Sequence, residues 1–255
     1  MRYPELRLDT SEPTFDGPDQ LRNHRLRRLA LAYRVFGAFR WGTQGDGHIT
    51  AADPEAHDHL WLLRYGVPFN QATIGDLVMV GPSGGVVDAQ TNAGAEINPA
   101  AHYIHWPLHD ARADVVSAAH THTPFGTPFS AEVRPIRPIT QESCSFVDDQ
   151  AIFDDDEVDI QSIDGGHRIA KAMGDNNSVI LRNHGLLTVG DTVDSAAGLF
   201  IMMERAAEAE MKARDAKPIS IDAARTAKGA HNNRSGWIVF NYALRTLIPD
   251  PTIVD

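Results

Sequence analysis

The apolar run Val115-Val116-Ser117-Ala118-Ala119 leads straight into His120-Thr121-His122, and Pro124 closes the segment. A short run of this kind reads as a buried strand. Residues two apart in a strand point to the same side. His120 and His122 can therefore aim both imidazoles at one point, as a metal ion requires, while Pro124 stops the strand and turns the chain just beyond them. The plainer alternative is a pair of polar strand-end residues bonded to backbone. Two imidazoles do not complete a zinc-type site, which takes a third ligand and keeps a position open for water or substrate.

A second segment repeats the design. Ser178-Val179-Ile180-Leu181-Arg182 reads as a buried strand, ends in Asn183-His184-Gly185, and continues into Leu186-Leu187-Thr188-Val189-Gly190. A histidine again stands at the carboxyl end of an apolar strand, with a glycine to let the chain turn, and His184 is the natural third ligand. Asn98-Pro99 opens a helix, Asn98 as its N-cap and Pro99 in its first turn. On that helix His102, His105 and His109 share a face by their spacing of three and four. They read as packing groups or supports for ligands rather than ligands themselves. In Gly42-Thr43-Gln44-Gly45-Asp46-Gly47-His48-Ile49-Thr50 the glycines permit a tight turn and a close approach to a ligand. His48 opens the strand after it and could face a pocket; a plain helix-to-strand turn is the other reading.

The chain has 255 residues, enough for one large core, with 42% apolar and 22% charged residues, as in ordinary globular proteins. Its net charge of −11 argues against nucleic-acid binding, which wants a basic face. A single cysteine, Cys144, excludes an intrachain disulfide and fits a reducing, cytoplasmic setting. Met1 to Pro18 holds no apolar signal segment, and no run approaches the roughly 18 apolar residues of a membrane span. The acidic run from Asp148 to Glu157 reads as a solvated loop.

The spacing predicts an extended lead-in over 1–18, a helix over about 19–39, and strands at Leu60–Leu63 and Asp76–Val80. Gly81 to Gly85 reads as a hairpin turn, 125–131 as a short helix, and 136–147 as strand and pocket wall. Helices are expected over 165–173, 192–216 and 221–230, with a last segment over 237–247. One domain then covers 19–217, and 218–255 forms a C-terminal extension packing on it or on a neighbouring subunit.

These residues together resemble the class II aldolase/adducin family. Gly47-His48-Ile49-Thr50 looks like the His variant of that family's Gly-[Asn/His] turn, His120 and His122 match its His-X-His, and Asn183-His184-Gly185 matches its Asn-His-Gly. The resemblance covers about Arg22 to Trp237. It implies an α/β fold, a three-layer α/β/α sandwich around a mixed, largely antiparallel sheet. It also implies a homotetramer with active sites at subunit interfaces.

The departures bear on function. Sugar-phosphate aldolases of the family open the second helix with Ser-Ser-Glu, where the serines bind phosphate and the Glu moves the proton; Pro99, Ala100 and Ala101 stand there instead. The other phosphate loop falls at Tyr65-Gly66 beside Arg64, and a tyrosine used across the aldolase interface falls near Gln141. The Asn-Pro-Ala opening resembles a branch holding the adducins and the non-haem iron oxygenases of aminocoumarin biosynthesis. The first expectation is a divalent-metal-dependent lyase, aldolase-like or decarboxylating, acting on a small carbonyl or carboxylate substrate through a metal-stabilised enolate. One ion per subunit would sit on His120, His122 and His184, with zinc first and iron, manganese or cobalt as alternatives. With Ala101 in place of Glu, His48 and His102 are the candidate proton carriers, Glu142 a weaker one. Arg64, Tyr65, Asn98, Gln141 and Phe125 are candidate substrate contacts, with Trp61 and a neighbour's Trp237 shaping the pocket. The alternatives are a mononuclear non-haem iron oxygenase and a non-catalytic adducin-like scaffold.

Overall fold

A computed structural model describes residues 10–87, 94–229 and 232–255. Residues 1–9 of the expected lead-in, and the end of the helix expected over 221–230, lie outside them. The first half runs α1 (Pro18–Ala38), β1 (Gly47–Ala52), β2 (Leu60–Leu63), β3 (Leu77–Val80), α2 (Pro99–Ala111), β4 (Ser117–Thr121) and α3 (Gly126–Ser130). The second runs β5 (Ala151–Phe153), α4 (Ile163–Met173), β6 (Ser178–Leu181), β7 (Gly185–Gly190), α5 (Val193–Lys212), α6 (Ile221–Lys228) and α7 (Asn232–Leu247). The strands form one mixed sheet of order β3-β2-β1-β4-β7-β6-β5. Its pairs are antiparallel except β5 with β6.

β4 lies at the centre, every residue of it buried, and its sequence Ser-Ala-Ala-His-Thr accordingly shows no alternation of apolar and charged residues. Successive side chains still go to opposite layers. Ala119, with Ile49 and Leu186, packs into the core shared with α1, α5 and α7. Ala118, with Leu187 and Val189, packs into the core shared with α2 and α4. The sheet is thus sandwiched between two helical layers. His120, two residues from Ala118, falls on the α2 side, and the antiparallel register sets His48 directly across from it.

Local chemistry fixes the element ends. The Asn98 side chain accepts from the Ala100 N–H, Ser162 caps α4 and Thr192 caps α5. The Tyr33 hydroxyl on α1 donates to the Ile49 carbonyl at 2.7 Å and accepts from the Ile49 and Leu63 amides. One buried phenol therefore ties α1 to β1 and β2. α7 crosses α5 where two glycines meet: a Cβ on Gly198 would lie 1.7 Å from the Gly236 carbonyl oxygen. The 232–255 stretch accordingly packs its Phe240, Leu244 and Val254 into the domain's own core.

Two stretches depart from expectation. Residues 136–147 form no strand; Glu142–Phe146 is a 3-10 turn instead. Pro135 and Pro138 remove ladder donors, and the Thr140 and Ser143 side chains bond to each other's backbone, which competes with sheet pairing. The turn's Cys144 and Val147 pack on Ala224 of α6. Asp76 belongs to a 3-10 turn that precedes β3, closed by a capping box with Thr73.

Candidate metal centre

His120 is the next-to-last residue of β4, His122 directly follows the strand, and His184 sits in the β6–β7 connection. Because β7 pairs with β4, the two connections lie side by side. Asn183 takes the left-handed conformation there (φ 57°), which Asn tolerates better than most residues. One ligand atom from each of the three imidazoles lies within 4.8 Å of the others. The rings stand nearly perpendicular to one another, at 76°, 85° and 88°, with centroids 4.8–5.4 Å apart.

The protonation pattern suits a cation. His120 Nδ1 donates to the Leu186 carbonyl at 2.8 Å, a group that only accepts, so Nε2 keeps its lone pair. Burial first, and then the imidazoles of His184, His48 and His122, hold His120 well below the ordinary range. Burial and His122 push His184 down to about 4. Neutral imidazoles with converging lone pairs are what a divalent ion takes as ligands. Asp46 Oδ2 lies 3.7 Å from His122 Nδ1, in place to orient that ring as carboxylates do behind metal-bound histidines. Asp46 is itself held, because Thr121 donates to its backbone carbonyl at 2.6 Å. Gly47 is needed between them: at φ 116° any Cβ would lie 2.4 Å from Thr121.

The turn beyond His122 is pinned from α5. The buried Glu204 carboxylate accepts from the Thr123 hydroxyl at 2.6 Å and from the amides of Phe125 and Gly126 at 3.0 and 2.6 Å. Burial raises its pKa against the pull of those donors.

A cavity of about 350 Å³ opens beside the sheet end, lined by His48, Arg64, Tyr65, Asn98, Ala101, Trp41 and part of the glycine loop among others. A second, of about 710 Å³, shares Tyr65 and Asn98 and adds His102. His102 Nδ1 is buried without a hydrogen-bond partner. The fold thus gathers His48, Arg64, Tyr65 and Asn98 around one space and sets His102 on the second cavity. Arg64 is engaged by Asp76 at 2.8 and 3.1 Å. Gln141 and Phe125 line neither cavity: Gln141 is exposed at the start of the 3-10 turn, and the Phe125 ring lies under Lys212 at 4.8 Å. Trp61 also lines neither; its indole donates to Asp53 at 2.8 Å.

Sequence reasoning did not single out Asp46, Thr50 or Glu204. Thr50 was legible in principle, since strand alternation puts it on the face of His48. His105 and Thr50 meet at 2.8 Å and Thr50 and His109 at 3.0 Å. Asp46 and Glu204 carry no spacing signal, because contacts distant in sequence bring them to the site.

The model of the Class II Aldolase and Adducin N-terminal domain matches residues 27–211. The chain belongs to this family. It is 37% identical to a 4-hydroxy-3-prenylphenylpyruvate oxygenase/4-hydroxy-3-prenylbenzoate synthase of Streptomyces roseochromogenus subsp. oscitans, covering 88% of this chain and 82% of that protein. It is 38% identical to Decarboxylase NovR of Streptomyces niveus, covering 83% and 78%. Among solved structures it resembles L-fuculose 1-phosphate aldolase from Glaciozyma antarctica PI12, with a TM-score of 0.81 and 30% identity over 93% of this chain and 94% of that one.

Proposed function

We propose that this chain is a divalent-metal-dependent lyase that breaks a carbon–carbon bond beside a carboxylate or carbonyl, with decarboxylation of a small oxygenated acid as the form that fits best. The observation that carries the proposal is a pairing. Three imidazoles converge at the strand ends, while the adjoining cavity is lined by Ala101, which on the family resemblance takes the place of the sugar-phosphate aldolases' proton-transferring Glu. Loss of carbon dioxide generates the carbanion directly and needs no base to start it. A bound ion supplies Lewis acidity for the charge that develops on the substrate oxygen, typically worth several kcal/mol.

The chain's own residues supply the rest. His120, His122 and His184 would hold the ion, with Asp46 aligning His122. Arg64 lines the cavity and keeps 42% of its side chain accessible despite its bond to Asp76. It can pair with a substrate carboxylate. His48 is the imidazole that lines this cavity, and its ring lies 5.1 Å from that of His120. The Asn-Pro-Ala branch of the family, and an assembly into a homotetramer with interfacial sites, belong to the same proposal.

An oxygenase is the second reading, favoured by the Streptomyces roseochromogenus relative. Imidazole is a ligand for iron as well as for zinc. Elemental analysis of fresh protein, followed by turnover of a panel of 2-oxo and hydroxy acids in anaerobic buffer, separates them. Carbon dioxide release without dioxygen, in the zinc- or manganese-loaded protein, is the expected result. Turnover that requires iron and stops without dioxygen establishes the oxygenase, and a protein that binds no metal overturns both.

A further inference from the structure

Behind His48 runs a file of hydrogen bonds that the metal site does not use. His48 Nδ1 meets His105 Nε2 at 2.9 Å, His105 Nδ1 meets the Thr50 hydroxyl at 2.8 Å, and that hydroxyl meets His109 Nε2 at 3.0 Å. The file ends where His109 Nδ1 meets the Val115 carbonyl at 3.0 Å. All four side chains are buried.

The direction of every bond follows from its last member. A carbonyl only accepts, so His109 carries its proton on Nδ1. All members of the file are buried and none is a carboxylate, so no ring has a counter-charge within the file and each is neutral with one proton; burial pushes His109 down to about 4 and His105 well below the ordinary range. His109 Nε2 is then a lone pair, and the Thr50 hydroxyl must donate to it. With its single proton committed, Thr50 accepts from His105 Nδ1. His105 Nε2 is in turn a lone pair, and His48 Nδ1 donates to it. His48 is left with a bare Nε2, the polar atom its ring still has to offer the cavity it lines. The opposite polarity would set the lone pair of His109 Nδ1 against the Val115 oxygen, a buried repulsion with no compensation. The file also cannot pass protons onward, because a backbone carbonyl is no proton store.

We propose that Thr50, His105 and His109 are positioning residues that lock His48 in its Nδ1–H tautomer, so that the site offers the substrate an acceptor at Nε2 and selects one that brings a hydroxyl there. A substrate presenting a carbonyl or ionised carboxylate at that point meets a lone pair and is disfavoured. The selection rests on the lyase reading only in taking the cavity as the substrate's. The tautomer itself is independent of it.

The test is long-range proton–nitrogen correlation NMR of the full chain labelled with ¹⁵N-histidine, recorded metal-free and zinc-loaded. His48 is expected protonated at Nδ1 and bare at Nε2. Thr50→Val removes the hydroxyl that accepts from His105 and is expected to move the His48 proton wholly or partly to Nε2. Thr50→Ser should restore the wild-type pattern. Glycolate and its O-methyl ether, titrated into the zinc-loaded protein, test the selection. The preference for glycolate should shrink by roughly three- to tenfold in Thr50→Val, the worth of one hydrogen bond. A wild-type His48 protonated at Nε2, a tautomer unchanged by Thr50→Val, or a preference unchanged by it overturns the proposal. Failure to bind zinc would instead sink the metal reading, leaving the metal-free spectrum to decide the tautomer.

Discussion

Two groups of histidines meet near the ends of β1 and β4, and they behave in opposite ways. His120, His122 and His184 turn toward one another without bonding, ring against ring at near right angles. His48, His105 and His109 bond in sequence, with Thr50 as the link. The difference lies in where the outer nitrogens are anchored. In the triad, His120 is anchored to a backbone carbonyl on the side away from its partners, so its free lone pair faces inward. In the file, the one carbonyl stands at the far end, so each free lone pair is consumed by the next donor until His48. The same side chain thus becomes a ligand or a support according to which of its two nitrogens the backbone takes.

The sharpest way to break this contrast is to remove one member from each group. His184→Ala should weaken zinc binding on the order of 100-fold or more, since one of three ligands is lost. His105→Ala should leave zinc affinity within a few-fold of wild type while lowering stability. Isothermal titration with zinc and urea unfolding read the two effects. Equal losses of affinity in both variants would erase the distinction between ligand and support.

Acid should find the file next. The unfolded chain takes up a proton near 6.5 that folded His109, pushed down to about 4, refuses. Stability from this group is therefore full above 6.5 and is lost as pH falls toward 4. Between pH 6.5 and 5, where most carboxylates stay ionised, His109 alone should cost the metal-free protein about 2 kcal/mol. Urea midpoints across that window check it, and a flat profile would mean that the file is open to water.

The smallest effect should come from the support of the triad. Asp46→Asn keeps the shape but removes the charge beside His122 Nδ1, and zinc affinity should fall roughly tenfold, at the low end for such partners. An unchanged affinity would show that the 3.7 Å approach contributes nothing to holding the ring.

Much of this was legible in the chain. Each candidate ligand lies within three residues of the carboxyl end of a buried strand, so spacing of two and a recurring strand-then-histidine pattern were enough to nominate His120, His122 and His184. The helix with His102, His105 and His109 on one face was equally plain, as were Asn98 and Pro99 at its start. The stretch 136–147 was misread because its small and apolar residues suit a strand, whereas the Thr140–Ser143 bonds and the prolines favour a turn. β5 was missed because three residues show no period. Gln141 and Phe125 were nominated by position and line neither cavity.

The sequence by itself nominated the candidate ligands and the faces they share, because periodicity and strand ends are local properties, and its resemblance to the family implied the layered α/β architecture. Only the tertiary structure decided what each histidine is for. The β1–β4 register put His48 opposite His120, and α2 came to rest over β1 so that His105 reached Thr50. Those pairings span more than fifty residues of chain. A hydrogen bond's direction depends on every partner down to the Val115 carbonyl, which no local spacing can encode.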